Sequence, residues 1–211
     1  MGNMESEKML ITNKNFQIYD ALAKIDSYLE DLELGPKDTL HLRLLMEETL
    51  GMLGAMAGEY KALLWLERKG ENCNIRLTGK TDMDIDKKKE ILSVSKSGEN
   101  TLAKGFMGKI ADIIENGMLS YDNVMKLQQQ YGGGYVDYAA LGGNPSDRDY
   151  FSWSLEQYRG ALEETKDSDN AAGSAWDELE KSIVAKIADD VIVGVRKDEV
   201  ELTICTRIAG K

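Results

Sequence analysis

The chain predicts an α+β fold: a two-layer α/β sandwich with a mixed, mainly antiparallel sheet and helices on one face. Three observations carry that expectation. Apolar residues recur every three or four positions in two long stretches near the front. Alternating apolar residues mark two hairpins, one within 62–78 and one within 191–204. Strands and helices do not alternate singly, as a doubly wound parallel sheet requires.

Met9 to Thr12 reads as a short first strand. From Phe16 to Leu34, Ile18, Leu22, Ile25, Leu29 and Leu32 form the stripe of an amphipathic helix, which Gly35-Pro36 ends. A second helix spans about Lys37 to Ala57. Its line Leu42, Met46, Thr49, Leu50, Leu53 and Ala57 is expected to face a sheet. A neighbouring line, spaced by fours, is Leu44, Glu48, Met52 and Met56. Strands at Ala62–Glu67 and Cys73–Thr78 follow, joined by Arg68-Lys69-Gly70-Glu71-Asn72. In the second, Cys73, Ile75 and Leu77 alternate with Asn74, Arg76 and Thr78, the pattern of a sheet with one buried face.

Residues 80–173 differ in character. Eleven of the 20 glycines lie between Gly98 and Gly173, about twice the ~7% average usage. GGGYVDYAALGGNPSD (132–147) reads as a loop. Around it Leu102, Phe106, Ile110 and Ile113 make one helical stripe, and Phe151, Leu155, Tyr158 and Leu162 another. The chain is therefore expected to be one domain, 1–211, with a large, mostly helical insertion at 80–173. Tyr131, Tyr135, Tyr138, Tyr150, Phe151, Trp153 and Tyr158 cluster in that stretch, as a recognition surface or as packing of the insertion. Beyond it Ser174 and Asp177 resemble a capping box, and Trp176, Leu179, Ile183 and Ile187 form a helix stripe ending near Ala188. Val191, Val193 and Val195, then Val200, Leu202 and Ile204, alternate as a closing hairpin around Lys197-Asp198.

Charge and rare residues narrow the function. With 26 Lys and Arg against 37 Asp and Glu, the net charge is −11. That balance argues against nucleic acid and anionic membranes as partners. The single histidine, His41, and the distant cysteines Cys73 and Cys205 give no zinc-ligand spacing and no disulfide framework. MGNMESEKMLITNKN lacks the apolar core of a signal peptide, and no run of ~18 apolar residues occurs, so a cytoplasmic location is expected.

LGPKDTLHLRLLMEETLGMLGAMAG (34–58) resembles the first conserved helix of the GHKL ATPases, the superfamily of gyrase, histidine-kinase and anti-sigma-factor kinase domains. DELEKSIVAKIADDVIVGVRKDEVELTICTRI (177–208) resembles the closing helix and hairpin of the anti-sigma-factor serine-kinase branch. The resemblance covers about 8–79 and 174–208, with 80–173 at the place of the ATP lid. It implies an ATP-binding cleft with Glu48 as the catalytic carboxylate. The family's Mg²⁺-holding asparagine falls on Met52, and its frequent histidine on Met56. A thioether is a soft, poor partner for Mg²⁺, which demands hard oxygens. The adenine-binding aspartate aligns with Gly79 or Lys80; Asp82 or Asp84 would serve only if the strand were shifted. The glycine-rich phosphate turn is reduced to Gly173, followed by Asp177, Glu178 and Glu180, which repel a triphosphate.

The resemblance with its failed boxes implies a catalytically degenerate, cytoplasmic regulatory module. It is expected to need no cofactor and no metal, to bind a protein partner, and to allow a homodimer. Two alternatives stand beside it. One is an active ATP-dependent serine kinase that uses Mg·ATP with Glu48 as base. The other is a small-molecule sensor whose vacated cleft is lined by Met52 and Met56.

Overall fold

The computed structural model describes residues 4–12, 18–56, 60–81, 105–119, 150–196 and 199–209. Its strands are β1 (Met4–Glu5), β2 (Met9–Thr12), β3 (Tyr60–Lys69), β4 (Asn72–Thr81), β5 (Tyr150–Ser154), β6 (Asp190–Arg196) and β7 (Glu199–Arg207). They form one sheet in the order β1-β3-β4-β7-β6-β5, with β2 also on β3. Every pairing among the described residues is antiparallel. The expected mixed sheet is thus corrected to an antiparallel one. β4 and β6 run in the same direction, but β7 returns between them and separates them.

The helices are α1 (Ile18–Asp31), α2 (Pro36–Ala55), α3 (Gly105–Leu119), α4 (Leu155–Thr165), α5 (Asn170–Lys181) and α6 (Ile183–Ile187). Their buried residues and those of the strands make one core cluster. Leu64 and Leu66 on β3, Ile75 and Leu77 on β4, and Leu202 and Ile204 on β7 point into it. Ile25 and Leu29 of α1, Leu45 and Met46 of α2, and Ile110 and Ile114 of α3 meet them from the helical layer. The intervening strand residues Leu63, Glu67, Arg76, Thr78 and Glu201 are exposed or half-buried, so β3, β4 and β7 leave their other face open. This is the two-layer arrangement the alternation predicts.

Several boundaries move. β3 and β4 extend to Lys69 and Asn72, so only Gly70 and Glu71 form the turn. Gly70 takes φ +63 while Glu71 does not, the pattern of a type II′ hairpin turn, which needs glycine in first place. The sheet-facing line of α2 lies as expected, with Leu42, Met46, Thr49, Leu50 and Leu53 at 0% exposure; Ala57 lies outside the described residues. Thr49 satisfies its buried hydroxyl by donating to the Leu45 carbonyl at 2.7 Å.

The 80–173 segment does not divide from the rest at those residues. Residue 80 falls inside β4 and residue 173 inside α5. Between them β5 joins the edge of the sheet on β6. Trp153, Leu155, Tyr158 and Leu162 enter the common core. Glycine content marked the segment as foreign, but burial is decided by where its apolar residues fall. Phe151 belongs to β5, not to a helical stripe with Leu155, Tyr158 and Leu162; α4 begins at Leu155, where the Ser154 hydroxyl accepts from the Gln157 amide at 3.2 Å. The 132–147 loop, Leu102, Tyr131, Tyr135 and Tyr138 lie outside the described residues.

The closing helix is two helices. α5 starts at Asn170, capped by the Asp169 carboxylate, which accepts from the Ala171 amide at 2.8 Å. Ser174 is therefore not a cap; it lies within α5 and donates to the Asn170 carbonyl at 3.0 Å. Ser182 has extended backbone, and its hydroxyl accepts from the Ala185 amide at 3.2 Å to open α6. Among the described residues no helix is long and apolar enough to cross a membrane.

Candidate functional site

α2 carries the residues on which the nucleotide reading rests. Pro36 sits at its first positions, where a missing N–H costs nothing. At its other end the Tyr60 hydroxyl donates to the Leu53 carbonyl at 2.8 Å and satisfies a helix-terminal acceptor. Spacing by four places Glu48, Met52 and Met56 along one line. Their environments differ. Glu48 is half-buried, whereas Met52 and Met56 are 4% and 7% exposed and belong to the core. Met56 has already left the helix, with extended backbone and its N–H on the Leu53 carbonyl at 3.3 Å. The line therefore offers one hard oxygen donor group, the Glu48 carboxylate, and two apolar side chains that fill the interior.

Gly79 is not in a turn. It lies within β4, buried, with Ala62 of β3 and Val200 of β7 as its lateral partners. The strand runs on to Thr81, so neither Gly79 nor Lys80 lies at a bend. Asp82 and Asp84 lie outside the described residues.

Gly173 is not in a phosphate turn either. It sits inside α5, its N–H donating to the Asp169 carbonyl at 2.9 Å. A Cβ at this position would lie 3.1 Å from the Lys166 carbonyl oxygen. The glycine thus lets the α4–α5 connection pass close to the helix. At the start of α5 the Ala171 amide meets the chain's own Asp169 carboxylate. Asp177, Glu178 and Glu180 are exposed, and Glu178 pairs with Lys109 at 3.0 Å. Lys109 is raised as an acid: burial alone would lower it, but Glu178 and the Tyr158 hydroxyl outweigh that.

The remaining chemistry-bearing residues are quiet. Burial pushes the Cys73 thiol up to about 12 and the Cys205 thiol up to about 11, so neither is a thiolate near neutrality. Cys73 faces the core while Cys205 lies half-buried on the neighbouring strand, opposite Asn74. His41 is half-buried on α2. The Arg68 guanidinium, 8% exposed, donates to the carbonyls of Leu32 and Gly70, both at 3.1 Å, and ties the end of α1 to the hairpin turn. Among the described residues no group of three or more His, Cys, Asp or Glu side chains is placed to hold a metal ion.

A second location was missed by motif reasoning. Arg159, Trp176, Leu179, Glu180, Ala185 and Lys186 line an open cleft of about 560 Å³ where α4, α5 and α6 meet. The Arg159 guanidinium donates through Nη2 to the Ala185 carbonyl at 2.6 Å. That carbonyl lies in the last turn of α6 and has no intrahelical partner to lose. The Lys166 ammonium lies 3.9 Å from the centroid of the Trp176 ring. A signal was present in the sequence: between Glu156 and Glu180 there are eight acidic residues and only two basic ones, Arg159 and Lys166. Both turn out to border this cleft or its tryptophan.

Comparison of the chain with protein-family models, curated proteins and solved structures gives no match. The class that fold and site define is accordingly a coarse one: an α+β domain with an open antiparallel sheet covered by helices on one face.

Proposed function

We propose that the chain is a GHKL-like domain without Mg·ATP chemistry that works as a cytoplasmic regulatory module by binding a protein partner. The two stretches that carry the resemblance, 8–79 and 174–208, support this reading by their placement. They meet directly in the sheet, because β4 pairs with β7 along Asn72–Lys80. The order strand, two helices, hairpin, then helix and hairpin, is the order on which the resemblance rests.

The observation that carries the loss of chemistry is the position of Gly173. A phosphate turn needs free backbone amides ahead of a helix. Here the glycine lies within the helix, and the helix start is capped by a carboxylate. Met52, buried at the position of the Mg²⁺ ligand, agrees with it. A retained Glu48 alone would give Mg²⁺ a single protein oxygen ligand group.

Calorimetric titration of the whole chain with Mg·ATP tests the reading. The expected result is no saturable heat. A dissociation constant at or below roughly tens of micromolar, about −6 to −7 kcal/mol, would overturn it. Transfer of labelled phosphate to a co-purifying protein, lost in Glu48→Ala, would replace it with the kinase reading.

A further inference from the structure

The cleft between α4, α5 and α6 uses neither the α2 line nor Gly173; of the residues the nucleotide reading names, Glu180 alone lines it. Its two cations are Arg159 and Lys186. Arg43 holds Asp26 and Glu47, Arg76 holds Glu67, and Arg207 holds Asp189, all within 3.4 Å. Arg159 instead donates to a neutral carbonyl, and among the described residues no carboxylate forms an ion pair with it. A guanidinium has five N–H donors in a rigid fork, and one anchoring bond to Ala185 fixes its plane without using the rest. Lys186, exposed on α6, adds a second positive group to the same cleft. In a protein of net charge −11, this cleft holds two cations that pair with no carboxylate among the described residues, beside one acidic residue, Glu180.

The rest of the lining is largely apolar. Trp176 is half-buried, and Leu179 and Ala185 are buried. Lys166 covers the Trp176 ring at 3.9 Å, which adds positive potential to the aromatic wall. The volume suits a small organic molecule. Glu180 lies at the same cleft and repels a second negative group.

We propose that this cleft binds a small organic anion carried on a flat apolar body. Its carboxylate or phosphate lies on Arg159 and Lys186, and its ring lies against Trp176 and Leu179. The inference does not rest on the proposed function, because it uses neither the α2 line nor Gly173.

The test follows the indole N–H resonance of Trp176 in the full chain, assigned by its loss in Trp176→Phe. The chain is titrated in separate arms with benzoate, phenyl phosphate, inorganic phosphate and benzylamine. Saturable shifts are expected for benzoate, phenyl phosphate or both, with dissociation constants around the millimolar range or tighter; the arm that saturates assigns the head group. Inorganic phosphate should bind about tenfold more weakly or worse, lacking the ring. Lys186→Gln should weaken binding severalfold, Arg159→Gln more strongly, and Glu180→Gln should leave it equal or tighter. Because Arg159 also caps α6, circular dichroism checks that its variant folds; if it does not, Lys186→Gln decides. No saturable shift with either aromatic anion, equal binding of benzylamine, or undiminished binding by Lys186→Gln would overturn the proposal.

Discussion

At Gly173 two effects of similar size oppose each other. Replacing a helical glycine by alanine ordinarily gains about 0.5–1 kcal/mol of backbone entropy and propensity. Here the new Cβ would meet the Lys166 carbonyl oxygen at 3.1 Å, a backbone atom that yields only if the α4–α5 connection shifts. Gly173→Ala is therefore expected to leave stability unchanged or lower it. Gly160 on α4 is exposed and has open space around its missing Cβ. Gly160→Ala is expected to raise stability by about 0.5–1 kcal/mol, and urea denaturation of the two variants side by side measures the contrast. A second residue-scale expectation concerns Glu67. Its hydrogen bond to Lys69 at 2.6 Å, helped by Arg76 at 3.4 Å, holds its carboxyl below the ordinary 4.5. Between the lowered folded value and 4.5 the unfolded chain binds more protons, so stability rises with pH there. The contribution is complete above the ordinary value and is lost as pH falls through the lowered one. Glu67→Gln should cost about 0.2–1 kcal/mol at pH 7 and nothing measurable near pH 2, when urea midpoints of variant and wild type are compared across that range.

Among elements, the join between α5 and α6 concentrates the most structure in one side chain. Ser182 ends α5 through its own N–H on the Leu179 carbonyl at 3.1 Å and starts α6 through its hydroxyl on the Ala185 amide at 3.2 Å. Ser182→Ala keeps the first bond and removes the second, for an expected loss of about 1 kcal/mol, read from the thermal midpoint. The break also turns Val184 and Ala185 into the core, at 0% and 7% exposure. A comparable device closes the first edge of the sheet. Between β1 and β2, Ser6 donates its N–H to the Leu66 carbonyl and accepts from the Leu66 amide on its hydroxyl, both at 2.9 Å. The side chain takes the place of a ladder carbonyl, so pairing with β3 continues across an interrupted edge strand. Such interruptions discourage edge-to-edge association.

On the scale of the whole molecule, β5 and α4 show whether residues 150–165 are an appendage or part of the domain. Trp153 is 3% exposed, with its ring centroid 6.2 Å from Phe106 and 5.6 Å from Tyr158. Trp153→Ala is expected to cost about 3–5 kcal/mol and to shift a single unfolding transition followed by circular dichroism and fluorescence together. A separate early transition would mean that the region folds as its own unit. The indole N–H of Trp153 is buried without a hydrogen-bond partner among the described residues. Trp153→Phe, which removes that donor and keeps a ring, should therefore cost clearly less than the alanine variant.

Local pattern by itself determined the first two helices, the two hairpins and the sheet-facing line of α2. A strand with one buried face must alternate, and a helix with one buried face must repeat every three or four residues. Leu42, Met46, Leu50 and Leu53, and Ile75 and Leu77, therefore lie where their spacing puts them. That Met52 is a poor ligand for a hard cation was equally legible, since ligand softness is a property of the side chain. Tertiary structure decided the rest. The membership of β5 and α4 in the core depends on a pairing between Tyr150–Ser154 and Ile192–Arg196, which no local period encodes. The meaning of Gly173 depends on how close Lys166 comes to it, and the break at Ser182 on which side chains must turn inward. Arg159, Trp176 and Lys186 share a cleft only because three short helices converge. Periodicity records which face of an element is buried, whereas a site is made by faces of different elements, and their meeting is written in long-range packing.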